Sequence, residues 1–251
     1  MEERPTSDYI GHMASVSRLF VDAPLGDATT LDLTRDQAHY LFGVMRRRVG
    51  DRVDVFNGRD GAWAADVVDA GKRGGRLTLT GQVQPQQDPP DLWLLFAPIK
   101  KVRTDFIVEK AAEMGAARIC PVQTDHTNSE RIRQDRLQAH AVEAAEQCGG
   151  TFVPPVDDLR ALGAVLDDWP AERYLMFCDE ARVGDAAGLP ALPGPWAILI
   201  GPEGGFSSAE RARLADLPFA HGVSLGPRIL RADTAAVAAM TLWQDRLGDW
   251  R

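Results

Sequence analysis

Ile198-Leu199-Ile200-Gly201-Pro202-Glu203-Gly204-Gly205-Phe206-Ser207-Ser208-Ala209-Glu210 is the stretch from which the fold is read. Its continuous aliphatic run has the character of a strand buried on both faces. The Gly-Pro step ends that strand, because proline has no amide donor and a fixed φ. A helix then starts at Ser208, with Ser207 and Glu210 at capping-box spacing. Strand, glycine turn and helix start in this order bring backbone close to any ligand at the carboxyl end of a strand, where open α/β sheets bind. A plain strand-to-helix turn is the structural alternative. No Gly-Lys-Ser/Thr follows and the GxGxxG spacing is absent, so neither a Walker loop nor a dinucleotide fold is indicated.

Outward from this point the pattern repeats. In Val223-Ser224-Leu225-Gly226-Pro227-Arg228-Ile229-Leu230-Arg231-Ala232-Asp233-Thr234 a strand again runs into Gly-Pro. Two arginines three apart then precede Asp233-Thr234, which reads as a helix cap. Guanidiniums at a helix N-terminus oppose the positive end of its dipole, so they call for an anion or for Asp233 as a partner. A surface ion pair is the alternative. Further strands are expected at 92–97, 118–122, 174–178 and 222–225. Helices are expected at 105–114 (closed by Gly115), at 133–148 (closed by Gly149), from Ser208, and at 234–247. Apolar strands separated by helices predict an α/β domain around a parallel sheet.

Upstream the period changes. Short β-type runs at 18–21, 52–56, 62–68 and 76–80 surround the hairpin signal Asn57-Gly58-Arg59-Asp60-Gly61. One helix, 34–47 with Thr34 as its cap, completes a small β-rich domain of barrel type. Pro85-Gln86-Gln87-Asp88-Pro89-Pro90 interrupts both patterns. The expected division is therefore a β domain at 17–84, a linker at 85–90 and the α/β domain at 91–251. Residues 1–16 lack periodicity and read as a disordered or cloning-derived leader.

With 251 residues and 45% hydrophobic content the chain can bury real cores. It has no long apolar run and no secretory signal pattern, so a soluble cytoplasmic protein without membrane contact is expected. Cys120, Cys148 and Cys178 form no CxxC pair and no even framework, and read as reduced. His12, His39, His126, His140 and His221 are scattered, so no metal is expected. A net charge of −8 argues against nonspecific coating of nucleic acid. Residues 39–84 nevertheless carry eight cations, including Arg46, Arg47 and Arg48, against five acids. That is a local phosphate-binding candidate or a solvated charged face.

The paired motifs are specific enough to identify. Ile200-Gly-Pro-Glu-Gly-Gly-Phe-Ser followed by Leu225-Gly-Pro-Arg-Ile-Leu-Arg-Ala-Asp-Thr-Ala resembles the RsmE family of 16S ribosomal RNA uracil-N3 methyltransferases, of the SPOUT superfamily. Lys100-Lys101-Val102-Arg103, the run from Glu109 to Gly115, Glu143 to Gly149, and His39 with Val44-Met45-Arg46 and Gly50-Asp51 also match, so the resemblance spans roughly residues 17–248. Asp233 stands where the family usually has Glu, and Gly150 where it usually has Arg.

The resemblance implies a C-terminal trefoil-knotted SPOUT domain, a PUA-like N-terminal β-barrel domain and a homodimer with sites near the subunit interface. It implies S-adenosylmethionine as donor, S-adenosylhomocysteine as product, and 16S rRNA or the 30S subunit as partner. A knot lies outside the usual topology rules, and periodicity alone predicts an ordinary doubly wound sheet. Ile200, Gly201, Gly205, Leu225, Gly226, Ile229, Leu230 and Ala235 are the implied cofactor-binding residues.

Uracil N3 must lose its proton for methyl transfer. Arg231 and Arg228 are candidates to hold a phosphate or the charge developing on the uracil oxygens. Glu203 or Asp233 is a candidate proton acceptor, and each is equally able to orient an arginine. Lys100, Lys101 and Arg103, after a strand end, are candidates for RNA phosphates beside Arg46, Arg47 and Arg48. A ribose 2′-O-methyltransferase of the same superfamily and a noncatalytic RNA-binding or assembly protein are the alternatives.

Overall fold

The computed structural model describes residues 16–128, 131–179 and 188–250, and the leader expected at 1–16 lies outside them but for its last residue. The chain divides into two compact units. One runs to Asp88 and also takes in Ala145–Val153; the other comprises Pro89–Ala144 and Pro154 onward.

The first unit contains β1 (Ser17–Phe20), β2 (Thr30–Asp32), β3 (Arg52–Phe56), β4 (Ala62–Gly71) and β5 (Gly74–Gln84), ordered β1-β3-β4-β5-β2 in one sheet. Alternate positions enter the core, where Leu19, Val53, Val55, Leu77 and Leu79 pack with Leu41. Three register shifts between β4 and β5 bend the sheet around these side chains. The expected hairpin joins β3 to β4. Asn57 Oδ1 accepts from the amides of Arg59 and Asp60, and Gly61 has φ +76 with its α-carbon packed against the Gln84 carbonyl. Only glycine fits both conditions.

The helix expected at 34–47 is broken. Thr34 and Gln37 do form a capping box, but α1 (Arg35–Ala38) passes into a six-residue π-helix over His39–Val44. The wider turn accommodates the His39 ring against Gly43, where a Cβ would stand 2.9 Å from Nδ1. Ala145–Val153, assigned from sequence to the second domain, packs within this unit. The amide of Phe20 donates to Glu146 (2.8 Å), and Arg18 Nη2 donates to the Gly150 carbonyl (2.7 Å). Gly150 thus serves an internal contact through its backbone.

In the second unit β6 (Leu92–Phe96), β7 (Arg118–Gln123), β8 (Arg160–Ala161), β9 (Tyr174–Cys178), β10 (Trp196–Ile200) and β11 (Ala220–Val223) form a sheet ordered β11-β9-β10-β6-β7-β8. Every pairing is parallel, as the apolar strands predict. All five residues of β10 are buried. β10 lies between β6 and β9, both earlier in the chain. The helices are α2 (Lys101–Glu113), α3 (Gln134–Cys148), α4 (Leu162–Asp167), α5 (Ser208–Asp216) and α6 (Ala232–Arg246).

Among the boundaries that differ from expectation, three bear on the site. α2 starts at Lys101, four residues early, so Lys101 and Arg103 stand in its first turn. α6 starts at Ala232 with Arg231 at the N-cap, and Asp233 falls in the first turn instead of capping. The extended backbone of Arg231 (φ −67, ψ 152) already presents its carbonyl to the Ala235 amide at 2.7 Å, which sets the start. β11 ends at Val223, two residues short. β2, β8 and α4 were not anticipated, since two or three strand residues and under two helical turns carry no readable period.

Gln244 of α6 is fully buried. Its Nε2 donates to the Met114 carbonyl that ends α2 (2.6 Å), and its Oε1 accepts from the Asp249 amide (3.1 Å). Gln244→Leu leaves that carbonyl unsatisfied and should cost about 1–3 kcal/mol in urea unfolding with an unchanged m-value. A variant as stable as the parent refutes the role.

Candidate active site

The parallel register aligns the carboxyl ends of three neighbouring strands: Ile200 pairs with Cys178, and Cys178 with Val223. Both Gly-Pro loops leave from this edge, at Gly201 and after Val223. They enclose one cavity of about 200 Å³. All eight residues implied as cofactor-binding line it, together with Arg228, Arg231 and Glu203. Asp233, Arg103, Lys100 and Lys101 do not line it, and Arg46, Arg47 and Arg48 belong to the first unit.

Local chemistry shapes each wall. Ser207 Oγ accepts from the Glu210 amide and Glu210 accepts from the Ser207 amide, the capping box read from sequence. Gly201 lies against the Phe206 ring, where a Cβ would approach to 3.2 Å. Gly226 has φ +113, and no atom lies within 4 Å of the position a Cβ would take. Gly226 lines the cavity, and without a side chain its backbone is free to meet a ligand closely.

Sequence reading missed a brace from the loop after β7. His126 Nδ1 lies 3.0 Å from the Gly204 carbonyl and 3.2 Å from that of Gly205. Asp125 accepts from Ser207 Oγ (2.5 Å), and its amide donates to Glu210 (2.9 Å). One isolated histidine in a polar loop offered no periodic signal. Phe206, Ser224 and Cys178 also line the cavity unforeseen.

The charges are arranged unevenly. Arg103 Nη1 donates to Glu203 Oε1 at 2.8 Å, and its Nε stands 3.6 Å from Asp233 Oδ2. One guanidinium therefore engages both carboxylates considered as proton acceptors, and Arg103, read as a phosphate ligand, is turned inward. Asp179, a buried carboxylate of the lining, pairs with Arg211 Nε at 3.1 Å. Arg228 and Arg231 are exposed, and among the described residues neither has an ion-pair partner. Burial pushes the Cys178 thiol up to about 12. Lys101 lines a separate basic cavity of about 340 Å³ with Arg131, Arg133 and Arg136. In the first unit Arg47 Nε donates to Ser17 Oγ, Arg46 takes the left-handed φ of +57, and Arg46 and Arg48 are exposed.

With this geometry in hand, comparison with known proteins is informative. The family profile described as RNA methyltransferase domain matches residues 86–244, and that described as RNA methyltransferase PUA domain matches 33–80. A Synechocystis protein named ribosomal RNA small subunit methyltransferase E is 31% identical over 222 residues, covering 84% of this chain and 71% of that protein. The chain belongs to the ribosomal RNA small subunit methyltransferase E family. A Rickettsia conorii member is 28% identical, over 89% of this chain and 93% of its own length. The solved structure of the Neisseria gonorrhoeae member bound to S-adenosyl methionine superposes with a TM-score of 0.86 at 26% identity, covering 94% of this chain and all of that one. A Legionella pneumophila methyltransferase, solved with bound cofactor SAM, gives 0.85 at 25% identity, covering 93% and 99%. The fold is accordingly that of the SPOUT methyltransferases with a PUA domain. Among the described residues no group of three or more His, Cys, Asp or Glu side chains is placed to hold a metal ion, and no helix is long and apolar enough to cross a membrane.

The raised Cys178 thiol makes a pH prediction. A pKa above the ordinary value keeps the neutral form, so at pH 8 only about one molecule in ten thousand carries the thiolate. A disulfide-exchange reagent should label exposed Cys148 quickly and Cys178 slowly, with the Cys178 rate rising about tenfold per pH unit between 8 and 10. A Cys178 rate that levels off below pH 9 contradicts it.

Proposed function

We propose that this chain transfers a methyl group from S-adenosylmethionine to N3 of a uracil in 16S ribosomal RNA. The observation that carries the reading is the meeting of both Gly-Pro loops around one cavity with two exposed guanidiniums on its rim. The residues present suit such a donor. Ile200, Leu225, Leu230 and Ala235 offer apolar surface to an adenine, and the glycine backbone at Gly201, Gly205 and Gly226 permits amide hydrogen bonds at close approach. When bound, S-adenosylmethionine supplies an electrophilic methyl group on a cationic sulfur.

The protein's own part is positioning and charge. As the bond from N3 to the methyl carbon forms and the sulfur–carbon bond breaks, the N3 proton passes to Glu203 or Asp233, directly or through water, and S-adenosylhomocysteine remains. Arg231 and Arg228 hold the negative charge that this places on the uracil oxygens, or the neighbouring phosphate. A base inside a duplex cannot reach the cavity, so the target must stand out of its stack, in an exposed segment of naked RNA or of the 30S subunit. The first unit, built around residues 17–84, acts as the RNA-binding domain, with Arg46, Arg47 and Arg48 on phosphates, and the second unit, which carries the cavity, as the catalytic domain, with Lys100 and Lys101 adding phosphate contacts. Two copies associate as a homodimer, a reading supported by the exposed apolar side chains of Val102 and Ile229. The substrate implies a cytoplasmic enzyme.

Incubation with labelled S-adenosylmethionine and 30S subunits or 16S RNA lacking the modification, followed by nucleoside mapping, should yield 3-methyluridine. Label on ribose would favour a 2′-O-methyltransferase instead. Arg231→Ala should lower kcat about 100-fold or more while the Kd for S-adenosylmethionine stays within about threefold. Retained turnover removes Arg231 from the reaction.

A further inference from the structure

Three arginines and two carboxylates gather at the start of α6 and the glycine turn after β10, yet they pair selectively. Glu203 lines the same cavity as Arg228 and Arg231, and Asp233 is two residues from Arg231. Neither carboxylate pairs with those two arginines. Both meet Arg103, which arrives from a different element, the first turn of α2. The 2.8 Å contact to Glu203 is a charge-assisted hydrogen bond, and all three side chains are only partly exposed, so solvent screens them incompletely. The other carboxylate of the lining, Asp179, is held likewise by a non-rim arginine, Arg211.

From this arrangement we propose that Arg103 is a positioning residue that sequesters Glu203 and Asp233, and so leaves Arg228 and Arg231 cationic and unpaired for the RNA anion. The inference rests on the proposed RNA methyltransferase reading. An arginine already paired with a carboxylate presents little net charge to a phosphate or to a developing oxyanion. Without Arg103, Glu203, which lines the cavity with the rim arginines, and Asp233, two residues from Arg231, lose their partner and become competitors of the RNA for the same guanidiniums. Arginine suits this task better than lysine, because its planar fork presents donors along two directions to two carboxylates at once. Arg103 acts through its neighbours and not by touching the RNA.

That distinction is testable with a double-variant cycle. Arg103→Met should lower kcat/KM for RNA, and RNA affinity measured by titration, each about 10-fold or more, while the Kd for S-adenosylmethionine moves less than about threefold. Adding Glu203→Gln removes the competing charge and should restore RNA affinity at least about fivefold in the double variant. A direct phosphate contact by Arg103 predicts no such recovery, and that result overturns the proposal. So does an Arg103→Met protein with unchanged RNA affinity. Arg103→Lys, which keeps the charge but not the fork, should fall between parent and Arg103→Met, and provides the comparison with Glu203→Gln if the methionine variant does not fold. Failure of the parent protein to methylate any RNA refutes the functional reading instead, whereas RNA titration reads the sequestration directly.

Discussion

The parallel hydrogen-bond register of β10, β9 and β11 is the constraint on which the rest depends. It sets Ile200 beside Cys178 and Cys178 beside Val223. Because the strands run in one direction, the chain leaves all three at the same edge, and two Gly-Pro bends some 25 residues apart open onto a single cavity. Slipping β9 by one residue would turn its buried side chains to the opposite face and separate the loops from their floor. The continuous burial of β10 makes such a slip costly, since every one of its side chains lies in the core.

Around that edge the walls are held by neighbours that take no place in the cavity. The loop after β7 fastens the glycine turn through His126 and Asp125, and α2 reaches in through Arg103. A glycine-rich turn has many accessible conformations, so ordering it costs conformational entropy. Hydrogen bonds from two other elements offset that cost and keep the backbone in one arrangement. The same braces distribute charge: Asp179, Glu203 and Asp233 are satisfied by Arg211 and Arg103, and the positive charge of Arg228 and Arg231 faces outward.

This local arrangement reconciles an acidic chain with an RNA methyltransferase family. A net charge of −8 is unfavourable for polyanion binding only if the cations are spread evenly. Here the acids near the cavity are paired internally, and further cations stand at Lys101 and, in the first unit, at Arg46 and Arg48. Local cation density, and not the sum over the chain, sets phosphate affinity.

Beyond the cavity-lining residues that the family resemblance implied, sequence alone determined what is local or periodic: the parallel character of apolar strands, the Ser207–Glu210 capping box, the Thr34 cap, the 57–61 hairpin, the change of period near Pro85, and the two glycine-proline bends. Each follows from backbone restrictions or burial repeats acting within a few residues. It did not determine the π-turn at His39–Val44, the start of α6 at Ala232, the membership of Ala145–Val153 in the first unit, or the partners of Arg103 and His126. Those depend on which distant groups arrive beside one another, and a side chain's charge says nothing about whether its partner is solvent, RNA or a carboxylate 100 residues away. Tertiary packing alone settled that Arg103 meets Glu203 and Asp233, because an ion pair requires proximity in space and leaves no period in the chain.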